Sequence, residues 1–226
     1  LMHTLLQREN EELSHAFITK MASTDAYQVT TLSVTDAMLT KYNLQRLNDP
    51  LLNLVVLDSE LAMARNIEDA QESERIDIQR VVPWLPKVFQ SILAKIYLNK
   101  ESLESSLEHS QQAVRRLHEA GVPIVLGSDT VYVPWALYSF HGYSTLREIE
   151  LLGEAGLQPM EVIKAATRNA AEMLGLENDI GTVEVGKRAD LIVLNDNPLK
   201  NLQAFRTIKW TIQNGIAHTP KEWISQ

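Results

Sequence analysis

The sequence predicts an α/β protein in which buried strands follow helices and a tail of short strands closes the chain. Three observations carry this. An apolar run, Ile124-Val125-Leu126, stops at Gly127-Ser128-Asp129, and uninterrupted apolar strands belong to parallel sheets covered on both faces. Ahead of it, Leu103, Leu107, Val114 and Leu117 recur at helical spacing and end at Ala120-Gly121, where glycine serves as the C-terminal stop. Helix, glycine and buried strand make one α/β unit. From Ile180 onward the texture changes to short β-type runs separated by turn residues.

The elements follow in order. Leu13, Phe17, Ile18 and Met21 predict a first helix, with Ser14 and Thr24 as polar punctuation. Residues 27–34 are rich in β-branched side chains and read as a strand. Asp36 suits the N-cap of a helix running to about Leu47, which Asn48-Asp49-Pro50 would stop. Residues 51–100 are helical but irregular, with a charged segment at 66–80 and a Pro83-Trp84-Leu85-Pro86 break. The stretch 39–100 is therefore predicted to leave the main scaffold as a helical excursion, and a solvated face is the ordinary reading of its charge run. After Asp129 an aromatic-rich loop runs to Gly142. Thr145 and Glu148 fit a capping box at the start of a helix carrying Leu146, Ile149, Leu151 and Leu152, and Gly156 ends it. Pro159 opens another helix with Val162, Ile163, Ala166, Ala170 and Leu174. Strands are predicted at 182–185, 189–194 and 208–212, the last before Asn214-Gly215, a hairpin signal. A domain boundary is placed near Leu176.

Composition narrows the function classes. A net charge of −8 and a pI near 5.3 disfavour a nucleic-acid or anionic-membrane partner. No apolar run approaches the ~18 residues of a spanning helix, so a soluble chain is expected, with its compartment left open. Without cysteine there is no disulfide framework, thiolate metal site or cysteine nucleophile. No Gly-rich phosphate loop and no Gly-x-Ser-x-Gly elbow occur, which argues against nucleotide binding and serine-hydrolase chemistry. The chain opens Leu1-Met2-His3 and reads as cut, so any upstream signal segment would be missing from it and the compartment is not settled.

Position singles out Asp129. In parallel α/β folds ligands and catalysts sit on the loops after the C-terminal strand ends, although a strand-end aspartate also caps its own turn. Around it the order is Gly127-Ser128-Asp129, His141-Gly142, Leu146-Arg147-Glu148-Ile149-Glu150-Leu151-Leu152, Glu154-Ala155-Gly156-Leu157-Gln158-Pro159, Ala165-Ala166-Thr167-Arg168-Asn169-Ala170-Ala171 and Gly181-Thr182-Val183-Glu184-Val185-Gly186-Lys187-Arg188-Ala189-Asp190-Leu191. These pieces in this order resemble the C-terminal half of the metal-dependent amidohydrolase superfamily, in its imidazolonepropionase-like and prolidase-like branch. The resemblance implies that residues 1–176 are the C-terminal part of a (β/α)8 TIM-like barrel, strands six to eight, with the helical insertion at about 39–100. Residues 177–226 would be returning strands of a small β-sandwich, the composite domain.

The resemblance also implies chemistry and roles. One or two divalent metals, zinc foremost, would lower the pKa of a bound water so that hydroxide is available near neutrality. Imidazole and carboxylate ligands suit such ions. Asp129 matches the eighth-strand aspartate, which ligates metal, takes a proton from the attacking water and delivers it to the leaving nitrogen. His3 matches a sixth-strand ligand of the second metal, or is only a terminal residue. His141 would orient a substrate carbonyl or carboxylate, or hydrogen-bond within its loop. Arg147 would pair with a substrate carboxylate, or is an exposed first-turn arginine. Tyr132, Trp135 and Tyr138 line a pocket or merely pack. His15, His109, His118 and His218 read as structural or solvated.

Departures from the family pattern count too. No two histidines stand two apart, and the fourth-strand lysine and fifth-strand histidine have no counterpart. Asp129 and His3 are too few for a tight site, and three barrel strands of eight would leave open edges. The expectation is a fragment of a metallohydrolase acting on the C–N bond of a small amide, cyclic amide or peptide, inactive alone, with homo-oligomerisation left open. The alternative is a non-catalytic fragment or binding module that keeps the amidohydrolase fold.

Overall fold

The computed structural model describes residues 15–66, 99–130 and 138–224, together with residues 84, 86 and 89. His3, Leu13, Tyr132, Trp135 and most of the 66–98 segment, its charged run included, lie outside the described residues. The chain begins with α1 (His15–Ala22), β1 (Gln28–Thr30) and α2 (Leu32–Met38). Two 3₁₀ turns follow, Leu39–Tyr42 and Leu44–Asn48, then α3 (Leu52–Val55) and α4 (Asp58–Arg65). The next described elements are α5 (Lys100–Glu119), β2 (Ile124–Leu126), α6 (Tyr143–Glu154), α7 (Pro159–Ala166) and α8 (Arg168–Met173). Strands β3 (Leu191–Leu194), β4 (Ile208–Gln213) and β5 (Ile216–His218) close the sequence with α9 (Pro220–Ile224).

The α/β unit at 100–126 forms as its residues demand. Asn99 caps α5, its side chain accepting from the Ser102 amide at 2.9 Å, and Gly121 leaves the helix at φ +86°, a region that costs glycine nothing. The chain then enters β2, which pairs in parallel with β1 in the register Gln28 to Ile124, Val29 to Val125 and Thr30 to Leu126. Ile124 and Val125 are buried. Around this pair the main core gathers Leu32, Val114, Leu117, Ile149, Leu151, Leu152, Leu157 and Val162. The stripe on α5 and α6 therefore faces the strands, as an amphipathic helix must. At the outer edge of β2 the Asn169 side chain donates to the Ile124 carbonyl at 2.8 Å.

In the predicted excursion, Leu47, Leu52, Val56, Leu61 and Ala64 gather in a second small core, joined by Phe140 from ahead of α6. The described part of the excursion is helical but broken into short pieces, in keeping with the irregular pattern of the sequence. The tail folds as an antiparallel sheet in the order β3-β4-β5. Asn214 and Gly215 both take positive φ, 50° and 82°, the geometry that joins two antiparallel strands by a two-residue turn.

Four expectations need correction. The strand at 27–34 ends at Thr30, and Leu32 already begins a helix. Asp36 is not an N-cap but lies inside that helix, where its side chain meets two arginines. The helix from Pro159 breaks at Thr167, whose φ of −133° and ψ of −85° are not helical. Residues 182–185 form no strand: Val183 and Val185 stay exposed, Val183 at 83%, so apolar burial gives that run no reason to extend beside a neighbour.

Candidate active site at the ends of the parallel strands

The ends of β1 and β2 converge because a glycine lets them. A Cβ on Gly127 would stand 2.5 Å from the Thr30 carbonyl oxygen and 2.9 Å from Val29 Cγ1, closer than any side chain tolerates. Two residues on, Asp129 is exposed and sits at φ +47°. Aspartate is among the few residues that visit this left-handed region readily. The carboxylate predicted from sequence thus stands at a strand's C-terminal end, just past a close approach of two backbones. On the β1 side, Ser33 Oγ donates to the Ser128 carbonyl at 3.3 Å, linking the first turn of α2 to the loop after β2.

The start of α2, just after β1, is held by a residue the sequence assigned elsewhere. Glu148 does not complete a capping box with Thr145, because α6 starts earlier, at Tyr143, behind Gly142 at φ +75°. Its side chain is buried and accepts from the amides of Leu32 at 3.0 Å and Ser33 at 2.6 Å. Burial pushes the Glu148 carboxyl above the ordinary carboxylate range, against the pull of the Ser33 and Leu32 amides. A signal for this was present: Ser144, Glu148, Leu151, Leu152 and Ala155 fall on one helical stripe, and all five are buried. A glutamate on such a stripe must find a partner.

Beside the strand ends runs a seam of charge. Arg147 donates from Nε to Asp36 Oδ2 at 3.1 Å and from Nη2 to Asp36 Oδ1 at 3.2 Å. It also reaches Glu150 at 3.1 Å and Glu154 at 2.6 Å. Asp36 pairs in addition with Arg46 of the excursion. Arg206 bridges Glu150 at 2.6 Å and Asp49 at 2.5 Å, and its guanidinium lies 5.4 Å from the ring centre of Tyr143, whose hydroxyl donates to Asp49. Burial lowers the affinity of Arg147 for its proton, but the Asp36 and Glu154 carboxylates outweigh it and raise the pKa. Burial and the Asp49 charge raise Tyr143. Asp36, Arg46, Asp49, Tyr143, Arg147, Glu150 and Arg206 line a cleft between residues 43–50, α6 and the turn at 202–206.

The sequence-predicted residues therefore separate. Asp129 stands at the strand end, and His141 is exposed just ahead of α6. Arg147 is not an exposed first-turn arginine, since its donors go to Asp36, Glu150 and Glu154. Tyr138 packs against the excursion core, and His109 Nδ1 donates to the Ser105 carbonyl on its own helix at 2.8 Å. Among the described residues no three His, Cys, Asp or Glu side chains are grouped to hold a metal ion, so these residues alone do not fit a metal centre. None of the described helices is long and apolar enough to cross a membrane.

Comparison with known proteins agrees with the geometry. The imidazolonepropionase of Symbiobacterium thermophilum is 40% identical over 81 residues, 36% of this chain and 18% of that protein. The ochratoxinase of Aspergillus niger is 35% identical over 108 residues, 47% of this chain and 20% of that protein. The chain thus spans about a fifth of the length of these curated relatives. A crystal structure of a prolidase complexed with N-methylphosphonate-L-proline, 20% identical, covers 90% of this chain and 37% of its own with a TM-score of 0.51, a likeness of fold. The profile of the amidohydrolase family matches residues 7–217, a family generally dependent on metal. With an α/β fold and nearly its whole length matched, the chain belongs to the amidohydrolase family.

Proposed function

We propose that this chain contributes the C-terminal strand ends of a hydrolase acting on the C–N bond of a small amide, cyclic amide or peptide. The observation that carries this is Asp129, an exposed carboxylate at the C-terminal end of β2 in a parallel pair, in a chain of the amidohydrolase family. In this reading β1 and β2 are the seventh and eighth strands of a barrel portion spanning residues 1–176, and 177–226 belong to a composite β-domain. Asp129 accepts a proton from the attacking water and returns it to the departing nitrogen, so that an amine rather than an amide anion leaves. Backbone fixed at Gly127 and Ser128 sets where that carboxylate points. His141 would face the substrate carbonyl. Asp129 and His3 would be this chain's ligands to zinc in the whole protein. Arg147 is reserved for the scaffold, since its donors are already engaged.

The test is Asp129→Asn in the full-length protein, with bound metal measured by mass spectrometry and turnover measured on a panel of dipeptides and cyclic amides with zinc supplied. Asparagine keeps the left-handed backbone and removes the charge. Loss of turnover by 10²-fold or more, with the fold intact by circular dichroism, supports the proposal. Wild-type protein that neither binds zinc nor hydrolyses any member of the panel would leave a binding module on the same fold.

A further inference from the structure

We propose that Glu148 is a positioning residue for the Asp129 loop, acting through Ser33. The inference rests on the hydrolase reading for the importance of Asp129, but its geometry stands by itself.

Burying a carboxylate is a costly way to fill the apolar face of a helix, and it persists only where hydrogen bonds compensate. Glu148 is fully buried, and its two oxygens take the amides of Leu32 and Ser33. Those amides open α2, where the first turn of any helix has donors without intrahelical acceptors. Thr31 at the N-cap is of a type that caps well, yet its side chain makes no capping bond. A local cap would have sufficed to start a seven-residue helix. A carboxylate reaching across from α6 does something a local cap cannot: it fixes α2 relative to α6. Ser33 is then held at its amide by Glu148 and offers its hydroxyl to the Ser128 carbonyl at 3.3 Å. The next residue is Asp129, in its left-handed conformation. The path runs from a buried carboxyl on α6, through one serine, to the peptide bond that carries Asp129.

Two variants of the full-length protein test this. Glu148→Gln keeps the shape but turns an amide group, itself a donor, toward one of the two amides. Ser33→Ala removes the hydroxyl, which serves Ser128 and also lies against the Glu148 carboxyl, keeps the Ser33 amide, and guards against a Glu148 variant that fails to fold. Hydrogen exchange reads the Leu32 and Ser33 amides, and backbone ¹⁵N relaxation reads Ser128 and Asp129. In Glu148→Gln, exchange at Leu32 or Ser33 is expected to accelerate about tenfold or more. The order parameters at Ser128 and Asp129 are expected to fall from near 0.85 toward 0.6, while Val114 and Leu117 keep their protection. In Ser33→Ala the fall is confined to Ser128 and Asp129. Unchanged order at Ser128 and Asp129 in both variants overturns the proposal. So does acceleration that spreads equally to Val114 and Leu117, which would make Glu148 a core residue and no more. Neither readout uses turnover, so an Asp129→Asn protein that stays active removes Asp129 from the chemistry, and a wild type without activity removes the hydrolase reading, in both cases without touching this geometry.

Discussion

Replacing Arg147 by methionine should destabilise the fold by about 2 to 3 kcal/mol. The figure follows from what is left behind. Arg147 serves two nearly buried carboxylates, Asp36 with its side chain 7% exposed and Glu150 at 11%, and a third, Glu154, that is half in water. The exposed partner adds little. Orphaning a buried charge outright costs about 3 to 5 kcal/mol, but Asp36 retains Arg46 and Glu150 retains Arg206, so the cost falls short of that range. Methionine preserves the apolar stem and its packing, leaving charge as the variable. The assay is urea unfolding of wild type, Arg147→Met, Asp36→Asn and the double variant. A coupling of about 1 to 2 kcal/mol between the two sites is expected, since they share a network. A coupling below about 0.5 kcal/mol, or a single-variant loss no greater than an ordinary surface change, would refute the view that Arg147 belongs to the scaffold.

Three further outcomes are expected. Gly127→Ala should lower stability by about 1 to 3 kcal/mol in thermal unfolding and displace the Asp129 loop, because its methyl group would meet the Thr30 carbonyl at 2.5 Å. Gly215→Ala has open space around it but a φ of +82°, so its cost of about 1 kcal/mol is conformational alone and Asp129 should not move. For Asp49, partial burial opposes ionisation, but the Leu51 amide and Arg206 prevail and hold the folded carboxyl below its ordinary 3.8. Its stabilising contribution is thus complete above pH 3.8 and disappears as pH falls through the lower folded value. Urea midpoints of Asp49→Asn between pH 2.5 and 5 should show a shallower acid decline than wild type, and equal slopes would count against the pairing.

What the sequence disclosed and what it withheld divide by range. Glycine stops at 121 and 156, the apolar strand at 124–126 and the turn at 214–215 all depend on neighbours in the chain, and each stands where its residues suggested. The strand-end placement of Asp129 follows from the same local logic. Glu148 misled because a local rule, the box with Thr145, was satisfied on paper, while the decisive partners lay 115 and 116 residues away. Asp36 misled likewise: its acceptor role goes to Arg147, 111 residues on. The run 27–34 has strand-forming side chains throughout, but amides captured from α6 turn it into a helix after Thr30. Propensity is a weak prior once a buried side chain recruits the backbone.

The left-handed backbone at Asp129 has a consequence for how such a protein can drift. The residues that settle there most readily are glycine, asparagine and aspartate, and a single base change takes an aspartate codon to either of the other two. Mutation therefore has a short route to variants that keep the turn and abolish the anion, whereas β-branched replacements carry a conformational penalty. If Asp129 carries the proposed chemistry, genetic change can switch that chemistry off more cheaply than it can dismantle the architecture around it.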